Sequence, residues 1–142
     1  MRPNGGIIFA KLVATQRLNM NWIYIVISSF AMLLAQSAQQ QFDKFSSGMS
    51  SGNASVVTSL SGDNMLLKID GSERSYSKTQ ATSVLSDFFK KHPSKGFTLS
   101  HKSETDKNAM AFGEYQSDQR FKVSVQFVRN GNAYKLGRLA IE

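Results

Sequence analysis

Cysteine is absent from all 142 residues, proline occurs twice and tryptophan once. A chain without cysteine has no disulfide framework, no thiolate metal site and no thiol nucleophile. Only two histidines are present, so histidine-rich metal spacings are also missing. No Gly-rich phosphate loop and no Ser/His/Asp set can be assembled from the motifs. Acidic residues are scarce, 10 against 17 Lys and Arg. Long apolar runs are missing too. A membrane-spanning helix needs about 20 apolar residues, and the longest run, Trp22–Leu34, is shorter than that. These absences leave no catalytic, metal or cofactor signature in the sequence.

The short apolar run is informative by position. Arg2, Lys11 and Arg17 precede it, and the small residues Ala35, Ser37 and Ala38 follow it. A charged start, a short apolar core and a small-residue exit read as a secretory signal peptide over residues 1–38. Cleavage is expected after Ser37, with Ala35 at the −3 position, or after Ala38. Met20 is an alternative start codon. No cysteine lies at the exit, which argues against a lipid-anchored form; an uncleaved anchor is the alternative to a cleaved signal. The chain is therefore expected to be exported, to a periplasm or cell surface, and to touch membrane only through this segment. Residues 39–142 form one domain, long enough to bury a single core. They keep 14 of the 17 Lys and Arg residues and all 10 acidic ones, a net charge of +4. No clustered basic stripe is present, so nucleic acid is not an expected partner.

The clearest local signal is Tyr76–His92. Ser77 with Gln80 three residues on makes a capping box, and Tyr76 with Ala81 makes a hydrophobic staple. Ala81, Val84, Leu85, Phe88 and Phe89 fall on one helical stripe. Asp87 and Lys91 form an i, i+4 pair, and Lys90, Lys91 and His92 suit the negative end of the helix dipole. Pro93 stops the helix. Before it, Phe42, Phe45 and Met49 suggest a short helix that Ser46, Ser47 and Gly48 weaken. Asn53 caps a second helix with Val56, Val57 and Leu60, closed by Gly62. Met65–Asp70 reads as a strand ending at an Asp70-Gly71 turn.

After Lys95-Gly96 the pattern switches to period two. Phe97, Leu99 and His101 share one strand face, and Met110 and Phe112 share another. Phe121, Val123, Val125 and Phe127 alternate cleanly, and Asn130-Gly131 is a strong hairpin signal. Leu139 and Ile141 lie on one face of the last strand. The predicted order is α, α, β, α, β, β, β, β. Helices before strands indicate an α+β fold with a mainly antiparallel sheet. A curved sheet around a long helix gives a cystatin-like or nuclear-transport-factor-like cone.

The chain resembles the exported bacterial, Bacteroidota-type domains of unknown function numbered 4783. That family is grouped with nuclear-transport-factor-like and lumazine-binding-like proteins. The resemblance rests on Ser51-Gly52-Asn53-Ala54, on Tyr76-Ser77-Lys78-Thr79-Gln80-Ala81 and on Phe88-Phe89-Lys90-Lys91-His92-Pro93. Phe97 with His101 and the closing Leu139-Ala140-Ile141-Glu142 complete it. It implies a cone fold and export, and it brings no catalytic motif and no cofactor.

Four residues are candidates for lining a ligand pocket: Tyr76, Phe97, His101 and Tyr115. His101, on the face shared with Phe97, would point toward the helix, where a proton-transfer role is conceivable; a rim histidine is the plainer alternative. Glu114 and Tyr115 are adjacent in one strand and face opposite ways, so they cannot act together. His92 is expected to be structural, and Asn53-Ala54-Ser55 is read as a helix cap rather than a glycosylation site. The leading expectation is a non-catalytic module binding a small molecule or an envelope protein in or beside the cone. If Phe88, Phe89, Phe121 and Phe127 fill the cone, the small-ligand version loses its site. The alternatives are a small isomerase or dehydratase using His101 or Glu114, and a homodimer formed through the outer face of the sheet.

Overall fold

A computed structural model describes residues 37–142 of the chain. The expected signal segment, Trp22–Leu34 included, lies outside the described residues. Nine elements follow one another. Helix α1 is Ala38–Ser51, α2 is Ala54–Ser59, strand β1 is Ser61–Ile69 and β2 is Ser72–Ser77. Helix α3 is Lys78–Lys91, and β3 to β6 are Gly96–Glu104, Asn108–Gln116, Arg120–Asn130 and Ala133–Ile141. The strands form one sheet in the order β2-β1-β6-β5-β4-β3. All neighbours are antiparallel except β1 with β6. Strands β2 and β3 are the two edges, so α3 leaves one edge of the sheet and returns to the other.

Helix α3 bears out its local signals. Both halves of the Ser77/Gln80 capping box are formed, at 3.3 and 3.1 Å. Ala81, Leu85, Phe88 and Phe89 are buried. The expected Asp87–Lys91 pair is replaced by Asp87–Lys90, at 3.9 Å between two exposed side chains, a geometry worth little.

Four expectations need correction. A strand stands between Asp70 and α3: Ile69 pairs with Ser72, and Asp70 and Gly71 have φ of +53° and +80°. That is the two-residue turn with both centres left-handed, which Asp-Gly suits. Its return strand, β2, is polar because only one side of it is paired. Second, α2 ends at Ser59, and Gly62 is already within β1. Third, α1 runs straight through Gly48. A β-carbon there would lie 2.8 Å from a Val57 methyl, so glycine lets α1 and α2 approach closely, which offsets its poor helix propensity. Fourth, the β5–β6 loop is Gly131-Asn132, with Asn130 paired to Ala133. Gly131 (φ +63°) is thus the first central residue, the position glycine takes in the other favoured hairpin turn.

The core lies on one face of the sheet. Helix α1 contributes Phe42, Phe45 and Met49, and α3 contributes its stripe. The sheet supplies Met65, Leu67, Ala109, Ala111, Tyr115, Phe121, Val123, Val125, Phe127, Leu136, Leu139 and Ile141. Register shifts interrupt the β1–β6, β3–β4 and β5–β6 pairings, and such breaks let a sheet curve.

Candidate interaction surface

The four pocket candidates do not come together. Tyr115 is fully buried and donates its hydroxyl to the His92 carbonyl at 2.6 Å. Burial pushes its phenol pKa up. Phe97 is half-buried, with its ring edge-on to Phe45 at 5.6 Å. Tyr76, opposite Met65 at the end of β2, packs against the core. His101 departs from its expected direction. Leu99 pairs with Gly113 and His101 with Phe112, which leaves Ser100 as an extra residue. That bulge interrupts the alternation, and His101 is exposed on the edge strand, away from the helix. Glu114 lies half-exposed, 3.7 Å from Arg120. The two acid/base candidates therefore share no enclosed site.

The space between helix and sheet is occupied. Phe88 packs against Phe89, Tyr115 and Phe121 at 5.1 to 5.7 Å, and Phe127 against Phe42 and Phe45 at 5.5 and 6.3 Å. All four of the test phenylalanines are buried. These rings fill the part of the cone where the helices meet the sheet.

His92 is better connected than a helix-end charge needs to be. Its Nδ1 lies 3.0 Å from Asp118 Oδ1, and its ring sits 5.1 Å from Phe88 and 4.8 Å from Phe121. Asp118 can only accept, so Nδ1 carries the proton. This bond lowers the pKa of Asp118. Ser117 donates to the Pro93 carbonyl at 2.7 Å and the Lys95 amide to the Gln116 carbonyl at 2.8 Å. Together these bonds fasten the end of α3 to the β4–β5 turn.

The helix-free face of the sheet is different in character. Leu66, Met110, Phe112 and Val128 are all exposed there, Phe112 by 52%. The pairing places Leu66, Arg138, Gln126 and Met110 in one cross-strand row, and Lys68, Ala140, Ser124 and Phe112 in the next. Phe112 stands between two depressions. The larger, about 530 Å³, is lined by Thr98, Ser100, Glu114, Gln116 and Lys122; the smaller, about 240 Å³, by Lys122, Ser124, Ala140 and Glu142. Lys68 pairs with Glu142, and Arg138 with Glu73 at 2.7 Å. These partners lower the pKa of both glutamates. The face thus carries an apolar cluster on β4 and β5, two ion pairs around β1 and β6, and an unpaired Lys122 beside Phe112.

The alternation in β4 puts Met110 and Phe112 on one face without saying which face that is. The deciding signal is the opposite face, Ala109, Ala111 and Gly113. A β-carbon at Gly113 would fall 2.5 Å from the Thr98 carbonyl oxygen and 2.9 Å from the Phe97 ring. Small residues there make the packed side, and the large ones turn outward. Among the described residues no group of His, Asp and Glu side chains could hold a metal ion, and no helix is long and apolar enough to span a membrane.

The fold is that of the NTF2-like and cystatin-fold proteins. An NTF2-like protein of unknown function from Cytophaga hutchinsonii superposes with a TM-score of 0.56 at 7% identity, covering 75% of this chain and 88% of that one. Residues 42–142 match the family described as Domain of unknown function (DUF4783), and the chain belongs to that family. A member from Bacteroides ovatus has a TM-score of 0.67 at 20% identity over 75% of this chain and 94% of its own. One from Bacteroides uniformis gives 0.67 at 21% over 70% and 94%. No curated protein matches the sequence.

Proposed function

We propose that this chain is an exported, non-catalytic interaction module that works through the outer face of its sheet, and that the occupant of that face is a second copy of the chain. The observation that carries the reading is the exposed cluster Met110, Phe112 and Val128 on β4 and β5, with Leu66 exposed beyond Arg138 and Gln126 on the same face, which no helix covers. Exposed apolar patches of this kind mark interaction sites. Export rests on the charged, short-apolar, small-residue pattern of residues 1–38.

Three features favour self-association. Six strands about 4.8 Å apart, each about nine residues of ~3.3 Å, give the whole face a footprint of about 800 Å², enough to hold a standard interface if most of it is covered. The charged side chains Lys68, Glu73, Arg138 and Glu142 are already paired within each copy, so docking strands none of these four and leaves Lys122 as the one charge beside Phe112 that it must keep wet. A twofold axis along the strands, between β6 and β5, would lay β1 of each copy over β4 of the other. Leu66 would then cover Met110, and Phe112 would lie over the Lys68 stem and the hollow above Ala140. Such a contact is closed and self-complementary.

Light scattering tests this directly. The purified protein should have the mass of two chains at micromolar concentration, and Phe112→Lys should have the mass of one with an unchanged circular dichroism spectrum. A wild-type mass of one chain across that range would overturn self-association. A dimer unaffected by Phe112→Lys would move the interface elsewhere.

A further inference from the structure

A third depression, away from Phe112, lies beside the cone. It sits between the last two turns of α3 and the β1–β2 turn, and holds about 240 Å³. Val84, Asp87, Phe88 and Lys91 are spaced i, i+3, i+4, i+7, so they form one helical face. Ile69 and Asp70 close the other side. Its floor is apolar: Phe88 is buried, and Ile69 and Val84 pack against the core. Its rim is charged with both signs. Asp70 and Lys91 are exposed and make no side-chain hydrogen bond or ion pair, and Asp87 has only its long contact with Lys90. His92 borders the depression with its Nδ1 already engaged by Asp118.

An apolar floor flanked by free charges of opposite sign is complementary to a molecule with the same arrangement reversed. We propose that this depression binds a small zwitterion with an aliphatic body, of the chemical class of a free α-amino acid. The ammonium would sit between Asp70 and Asp87, and the carboxylate on Lys91. The side chain would lie on Ile69, Val84 and Phe88. At about 240 Å³ and open to solvent, the depression has room for a molecule as small as L-leucine. The reading is independent of any contact on the outer face.

The test is a titration of the isotope-labelled protein followed by amide chemical shifts. L-Leucine is one probe; 4-methylpentanoate lacks its ammonium and 3-methylbutylamine lacks its carboxylate. The expected result is saturable shifts at Asp70, Val84, Asp87 and Lys91 with leucine, and about tenfold weaker binding for either analogue. Lys91→Met and Asp87→Asn, both at exposed positions, should each weaken leucine binding by about the same factor. No shift at these four amides up to tens of millimolar would overturn the proposal. So would equal affinity for all three probes, which would mean an apolar surface without charge recognition.

Discussion

The two faces of this sheet use the same residue types to opposite ends. On the inner face, Phe127 is wholly buried and Phe121 nearly so, each edge-on to rings from the helices. On the outer face Phe112, in register with Ser124 next to it, is half in solvent. Strand β4 carries both faces within nine residues: Ala109, Ala111 and Tyr115 point in, Met110 and Phe112 point out. The contrast shows that hydrophobicity alone does not define the core here. On β4 the small residues Ala109, Ala111 and Gly113 do, by letting the neighbouring groups approach on one side only.

Substitutions should separate the faces by the size of their effect. Phe127→Ala should cost about 3–5 kcal/mol in urea unfolding, because it opens a cavity among packed rings. A cost below about 1 kcal/mol would mean the inner face is loosely packed. Tyr115→Phe keeps the ring but removes the donor to the His92 carbonyl, and should cost about 1–2 kcal/mol. Ser77→Ala removes the cap of α3 and should cost about 1 kcal/mol.

A pH series sharpens the comparison at the end of α3. The folded pKa of Asp118 is lowered, so its ionised form binds protons less readily in the folded chain than in the unfolded one. Its contribution is present above the ordinary carboxylate range and is lost as pH falls through the folded value. Asp118→Asn should therefore lose less stability than the wild type on acidification, as read from melting temperature against pH. Equal slopes would mean the His92 contact does nothing in solution. The smallest effect belongs to the outer face: Phe112→Ala, measured on the dissociated chain, should change stability by no more than about 0.5 kcal/mol.

Much of this fold is written locally. The start, face and stop of α3 are set by Ser77, Gln80, the apolar stripe and Pro93, all within one stretch. Strand β5 is equally plain in its alternation. What escaped depends on neighbours far away in sequence. Strand β2, SERSYS, has no apolar alternation because it is an exposed edge. The length of α1 hinges on Val57 needing room above Gly48. The direction of His101 is set by a bulge at Ser100 that shows only when β3 is laid against β4. The candidate surface was half legible: Met110 and Phe112 could be placed on one face, but choosing that face required knowing that α1 and α3 cover the other. The fastening of His92 to Asp118 joins two segments 26 residues apart, and no local pattern announces it.

The central claim is that the outer face meets its own copy. A mixture of isotope-labelled and unlabelled protein tests it through intermolecular nuclear Overhauser effects at the Met110 methyl group. The account predicts cross-peaks from Met110 of one copy to Leu66 of the other, lost in Phe112→Lys. Intermolecular cross-peaks confined to the helical side, or none at all at concentrations where Met110 and Leu66 give strong intramolecular signals, would contradict it.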